Sequence, residues 1–144
     1  MDVRFEMFHS SSVSSDALWA VVGDLWRLPE WTDVESVADI SAEPPGVGTE
    51  VETVEAGTTR LWRITTWEPR LYEMVTQTER GDVGFGCRVV RDNRGGSRIV
   101  LAAGLQAPTM AKRLRARLLD GPSLRRRMDE WARDAVRVAA TPAG

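Results

Sequence analysis

The chain has 144 residues, 42% hydrophobic and 28% charged, the size and balance of one soluble globular domain that needs no metal or disulfide to form a core. A net charge of −2 with a pI near 5.5 argues against a general nucleic-acid binder, which carries a basic excess. The lone Cys87 excludes an internal disulfide and makes the cytoplasm the expected compartment, and no run approaches the roughly 18 apolar residues of a membrane span, so no stable membrane insertion is expected.

The first residues lack the basic-then-apolar pattern of a signal peptide. Val3, Phe5 and Met7 alternate with Arg4 and Glu6, the period of a strand. Ser10 to Ser12 and Ser14-Ser15-Asp16 then break the strand and offer N-caps for a helix running to about Trp26, with Leu18, Val21, Val22 and Leu25 on one face. Pro29 restarts the chain into a short second helix, Leu28-Pro29-Glu30-Trp31. Six strand patterns follow, at about 34–43, 48–55, 60–68, 71–79, 83–92 and 97–106. Turn-forming residues such as Pro44-Pro45-Gly46, Glu68-Pro69-Arg70 and Asn93-Arg94-Gly95-Gly96 separate them. These links are too short for parallel crossovers and predict antiparallel hairpins. From Pro108 the pattern is helical to the end, interrupted at Asp120-Gly121-Pro122-Ser123. Beyond that break Leu124, Met128, Trp131, Ala135 and Val138 form one apolar stripe.

Strands clustered between helices predict an α+β fold. A sheet of about seven strands has a concave face wider than a helix of about 10 Å diameter. A cavity between sheet and C-terminal helix is therefore expected. Strand parity assigns its lining. Val3, Phe5 and Met7 share a face that His9 joins if the alternation continues. Trp62, Ile64 and Thr66 follow on the strand near residue 60, then Tyr72, Met74 and Thr76, then Val83, Phe85, Cys87 and Val89. Ile99, Leu101, Ala103 and Leu105 complete the set. This parity puts no Asp, Glu, Lys or Arg inside, which favours an uncharged, largely hydrophobic ligand.

Several short motifs, in order, carry a resemblance. They are Leu18-Trp19-Ala20-Val21-Val22-Gly23-Asp24 followed by Leu28-Pro29-Glu30-Trp31, then Val47-Gly48-Thr49, Ile64-Thr65-Thr66-Trp67-Glu68-Pro69, and Gly95-Gly96-Ser97. Together they resemble the START and birch-pollen-allergen (SRPBCC) superfamily, in its polyketide cyclase/dehydrase-like branch. The resemblance covers essentially the whole chain, 1–144, as a single domain. It implies the helix-grip fold: a curved antiparallel sheet of about seven strands wrapped round a long C-terminal helix, with two short helices after the first strand. It also sets Trp31 where that family's short helix gates the cavity mouth.

The leading expectation is a binder or carrier of a hydrophobic small molecule such as a lipid, polyketide or polycyclic aromatic compound. Its ligand-binding side chains are expected to be Met7, Trp31, Trp62, Ile64, Met74, Thr76, Phe85, Cys87 and Leu101 from the first half of the architecture and the sheet, with Leu124, Met128 and Trp131 from the final helix. Trp19 and Trp67 read as core. An alternative is an aromatase/cyclase-type enzyme, for which His9 and Tyr72 are the available acid/base groups, with Thr76 as a further donor. A second alternative is a protein-interaction or regulatory module, marked by a collapsed cavity and a large exposed apolar patch. Cys87 reads as a buried thiol rather than a nucleophile. The basic run formed by Lys112, Arg113, Arg115, Arg117, Arg125, Arg126 and Arg127 is interrupted by acids and reads as a solvated helix face. One His and one Cys cannot make a zinc site, and Gly81, Gly84 and Gly86 sit in a hairpin rather than before a helix, so neither metal nor dinucleotide cofactor is expected.

Overall fold

The structure, a computed structural model, describes residues 3–79, 81–106 and 121–141. In chain order the elements are β1 (Val3–Ser11), α1 (Ser15–Val22), a 3-10 turn (Leu25–Arg27), α2 (Leu28–Trp31), β2 (Ser36–Ile40), β3 (Glu50–Glu55), β4 (Thr58–Glu68), β5 (Leu71–Thr78), β6 (Gly81–Arg91), β7 (Ser97–Gln106) and α3 (Gly121–Ala140). The seven strands form one antiparallel sheet in the order β1-β7-β6-β5-β4-β3-β2. β1 returns to pair with β7 while the rest is a meander, and α1 and α3 lie against each other over one face. This is the expected α+β helix-grip architecture.

The helix expected to reach Trp26 ends four residues earlier for a local reason. Ser14 Oγ accepts from Ala17 N at 3.1 Å and starts α1. Gly23 then closes it, its N–H donating to Trp19 O at 2.8 Å. The Trp19 ring lies across Gly23, where an added Cβ would come within 2.4 Å of it. Asp24 takes over as a new cap, accepting from Trp26 N at 3.1 Å, and turns the chain into the 3-10 segment. At the other end, the break read at Asp120 to Ser123 is not found over Gly121 to Ser123, which open α3, and Asp120 lies outside the described residues. Pro122 and Ser123 belong to the first turn of α3, where proline lacks no needed donor. The helical pattern read over 108–120 lies outside the described residues.

The core is formed where α1, α2 and α3 meet the concave face. Leu18, Val22, Leu25, Leu28 and Trp31 from the short helices meet Met128, Ala132 and Ala135 of α3 and Ile64, Tyr72, Cys87, Val89, Ile99 and Leu101 of the sheet. Ala132 and Ala135 are fully buried, and side chains this small let α3 run close to α1.

Two strands carry an irregularity: β2, where the register shifts between Val37 and Asp39, and β4, whose shift bears on the core. Ile64 pairs with Met74, but the next partner of Glu73 is Thr66 and that of Tyr72 is Trp67, so Thr65 is an inserted bulge residue. Parity reverses beyond it. Thr66, expected inside, faces out beside exposed Glu73, and Trp67 turns in to stack on Tyr72 with ring centroids 5.6 Å apart. Trp19 closes the cluster at 6.1 Å from both rings.

Candidate functional site

The concave face is not filled along its whole length. At the end formed by the start of β1, the end of β7, the β5–β6 hairpin and the β3–β4 hairpin lies an open cavity of about 1010 Å³. Its depth is apolar: Phe5, Trp62, Met74, Phe85 and Ala103 from the sheet, Leu28 from α2, and Leu124 and Trp131 from α3. Phe85 and Trp131 meet edge to face with centroids 6.2 Å apart, and the Trp131 indole Nε1 is buried without a hydrogen-bond partner. Thr76 also lines the cavity, but its hydroxyl donates to Leu61 O at 2.8 Å.

The expected ligand-binding residues therefore fall into two groups. Trp62, Met74, Thr76, Phe85, Leu124 and Trp131 line one cavity. Met7, Trp31, Ile64, Cys87, Leu101 and Met128 do not. Ile64, Cys87, Leu101 and Met128 are at most 1% exposed in the packed half of the interior. Trp31 is equally buried and stands behind the cavity wall, its ring 6.3 Å from Phe85 and its Nε1 unpartnered. Met7 pairs with Leu101 on β7, half-buried against the core.

The two acid/base candidates also lie away from the cavity. His9 extends β1 and pairs with Ile99, toward the opposite end of the sheet from Phe5. Tyr72 is fully buried under the aromatic cluster, directly across the strand pair from Cys87. Its Oη makes no bond of hydrogen-bond geometry, although the thiol is near enough to influence it. Burial pushes the Tyr72 hydroxyl well above the usual phenol range, with Cys87 adding to the rise. Burial likewise pushes the Cys87 thiol far up, partly offset by Tyr72. Both groups are held neutral.

The expectation of an inner face without charge is corrected at the mouth. Glu55 and Arg60 both line the cavity. Glu55 continues the inward alternation of Val51 and Thr53, and Arg60 stands two residues before Trp62, so each was accessible to parity once β3 and the start of β4 were included. The Glu55 carboxylate does not swing into solvent. Its Oε2 accepts from Thr53 Oγ1 at 2.6 Å and from Trp62 Nε1 at 3.1 Å. Across the opening Asp33, from the segment after α2, faces Arg127 of α3 at 3.7 Å. The charges sit on strand ends, the segment after α2 and the exposed side of α3 where water reaches them, and the apolar side chains sit behind. Among the described residues no group of His, Cys, Asp and Glu is arranged to hold a metal ion, and no helix is long and apolar enough to cross a membrane. Arg125, Arg126 and Arg127 are exposed, as a solvated helix face requires; the basic residues at 112–117 lie outside the described residues.

No family model and no curated protein matches the sequence. Solved structures do match. The Zhui aromatase/cyclase from Streptomyces sp. R1128 superposes with a TM-score of 0.71 at 16% identity, over 98% of this chain and 97% of that one. Ara h 8.0201 does so at 0.68 and 18%, over 94% and 96%. A START superfamily protein from Mycobacterium smegmatis does so at 0.65 and 9%, over 94% and 99%. At these identities the likeness is one of fold, and it extends over nearly the full length of every chain compared.

Proposed function

We propose that this helix-grip protein encloses a largely apolar small molecule, held with its hydrophobic body against Phe5, Met74, Phe85, Leu124 and Trp131 and its polar end at the mouth. The observation that carries this reading is the open cavity of about 1010 Å³ with an apolar depth and a polar rim. That volume is at the upper end of the range for drug-sized ligands, about 300–1,000 Å³. A protein stabilised only by its core has no use for such a space, since unfilled apolar volume forfeits dispersion contacts. The open cavity also favours ligand binding over an interaction module, whose mark is a collapsed interior.

One of the structural neighbours is named as an aromatase/cyclase. An enzyme of that kind needs an acid or base within reach of the bound molecule. The two groups the sequence offered for that role, His9 and Tyr72, do not line the cavity, so neither supports that reading here, and binding is the function favoured.

The test is titration with a neutral fluorescent probe, N-phenyl-1-naphthylamine. Saturable binding at one probe per chain is expected. At a hundredfold excess over its dissociation constant the probe should add about 2.7 kcal/mol to the unfolding free energy. Absence of saturable binding, with no thermal shift from a panel of hydrophobic compounds, would overturn the proposal.

A further inference from the structure

Resting on the cavity reading above, we infer that Glu55 is the specificity-determining residue of the site and selects ligands that present a neutral hydroxyl at the mouth. The argument starts from how its two oxygens are used. Oε2 already accepts two hydrogen bonds, from Thr53 Oγ1 at 2.6 Å and Trp62 Nε1 at 3.1 Å. Thr53 is fully buried and Trp62 is 7% exposed, so the clamp is built into the wall of the cavity. Oε1 has no hydrogen-bond partner among the described residues. The carboxylate is thus fixed by one oxygen and offers the other, with its lone pairs, to whatever enters.

A fixed acceptor beside an apolar chamber discriminates strongly. A ligand hydroxyl forms a charge-assisted bond there, and an ether or carbonyl oxygen faces lone pair against lone pair. An ammonium group would also donate. Arg60 argues against it: it lies on the same face, one diagonal step from Glu55 across the β3–β4 pair, and makes no ion pair among the described residues. Its charge offsets that of Glu55 and disfavours a cationic head. The inferred ligand class is therefore an apolar ring system or chain ending in an alcohol or phenol.

The clamp makes a sharper demand of Glu55→Gln. Thr53 and Trp62 are both donors, so the amide must turn its oxygen toward them and present its NH2 to the cavity. The site then offers a donor where it offered an acceptor, and the preference should reverse.

Displacement of N-phenyl-1-naphthylamine by 2-naphthol, 2-methoxynaphthalene, 2-naphthylmethylamine and naphthalene tests this. With the wild-type protein 2-naphthol should displace the probe at about tenfold lower concentration than 2-methoxynaphthalene, and 2-naphthylmethylamine should be the weaker of the two donors. Glu55→Gln should bring the methoxy compound level with or ahead of the naphthol. Taking the ratio between the two proteins cancels the added methyl group. Trp62→Phe keeps an aromatic ring, though a smaller one, and removes one clamp donor, and should lower the naphthol preference without reversing it. Equal displacement by naphthol and methoxynaphthalene in wild type and variant would overturn the role of Glu55, and naphthalene binding would show that the cavity reading survives. A preference for the amine would overturn the neutral-hydroxyl assignment. Failure of every compound, the probe included, would instead overturn the cavity reading.

Discussion

Tyr72→Phe should make this protein more stable. The ring is fully buried and packed on three sides, stacked on Trp67 at 5.6 Å and tilted against Trp19 and Phe85 at 6.1 and 6.3 Å. Phenylalanine keeps all of those contacts. What it removes is a hydroxyl that water solvates in the unfolded chain and that has no partner of hydrogen-bond geometry in the fold. Such a group costs about 1–3 kcal/mol. Taking about 1–2 kcal/mol as recoverable, and an unfolding entropy of about 2.1 cal/mol/K per residue, the gain translates into a rise in Tm of about 3–7 °C for a chain of this size. Differential scanning calorimetry of the two proteins, backed by urea unfolding with unchanged m, measures it directly. A lower Tm for the variant would refute the reasoning. It would mean that the hydroxyl is held, with the Cys87 sulfur across the strand pair as the first suspect, and would return Tyr72 to consideration as a proton donor.

Gly96→Ala should destabilise by about 2 kcal/mol or more, read as a shift in the denaturation midpoint, because its Cβ would stand 2.3 Å from the Ser11 carbonyl oxygen and 2.9 Å from Asp92 Oδ2. A backbone oxygen cannot step aside as a side chain can, so a neutral outcome would show that β1 and the β6–β7 hairpin are not joined this tightly. The native Cys87 thiol should resist iodoacetamide at pH 8 and react once urea exposes it; fast stoichiometric labelling of the folded protein would contradict its burial. The same burial sets a sign for alkali: with the folded thiol and the Tyr72 phenol both pushed up, the unfolded state loses their protons first. Their contribution is intact below the ordinary thiol value of 9.0 and is lost as pH rises beyond it, so Tm should fall on that side.

Much of the fold was legible because most strands alternate cleanly and each hairpin turn is marked by Pro, Gly or Asn. Phe5, Met74, Phe85, Cys87 and Leu101 face inward as parity required. Parity failed at Thr66 because a bulge inserts a residue without leaving a signature in composition: Thr65, Thr66 and Trp67 read equally well in either register. The position of the cavity along the sheet was not legible at all. Alternation says which side chains face in, but where the helices fill the space depends on how Trp31 and Met128 pack against residues far away in sequence. Glu55 was missed for a different reason. A glutamate at a strand end is usually solvated, and nothing in its own neighbourhood of sequence reveals that Trp62, across a hairpin, reaches back to hold it.

The inserted Thr65 divides the interior of the curved sheet into two districts that answer to different pressures. On one side of it β4 delivers Trp62 to the open chamber and Ile64 to the packed core beside it; on the other it delivers Trp67 to an aromatic plug with Tyr72 and Trp19. Because the two are a half-turn of pleat out of phase, side chains around the chamber can be exchanged to suit a new cargo while the plug goes on holding helix α1 in place. Ironed flat without losing a residue, β4 would set Thr65 opposite Glu73 and Thr66 opposite Tyr72, sending Trp67 out to water and drawing a hydroxyl into the grease.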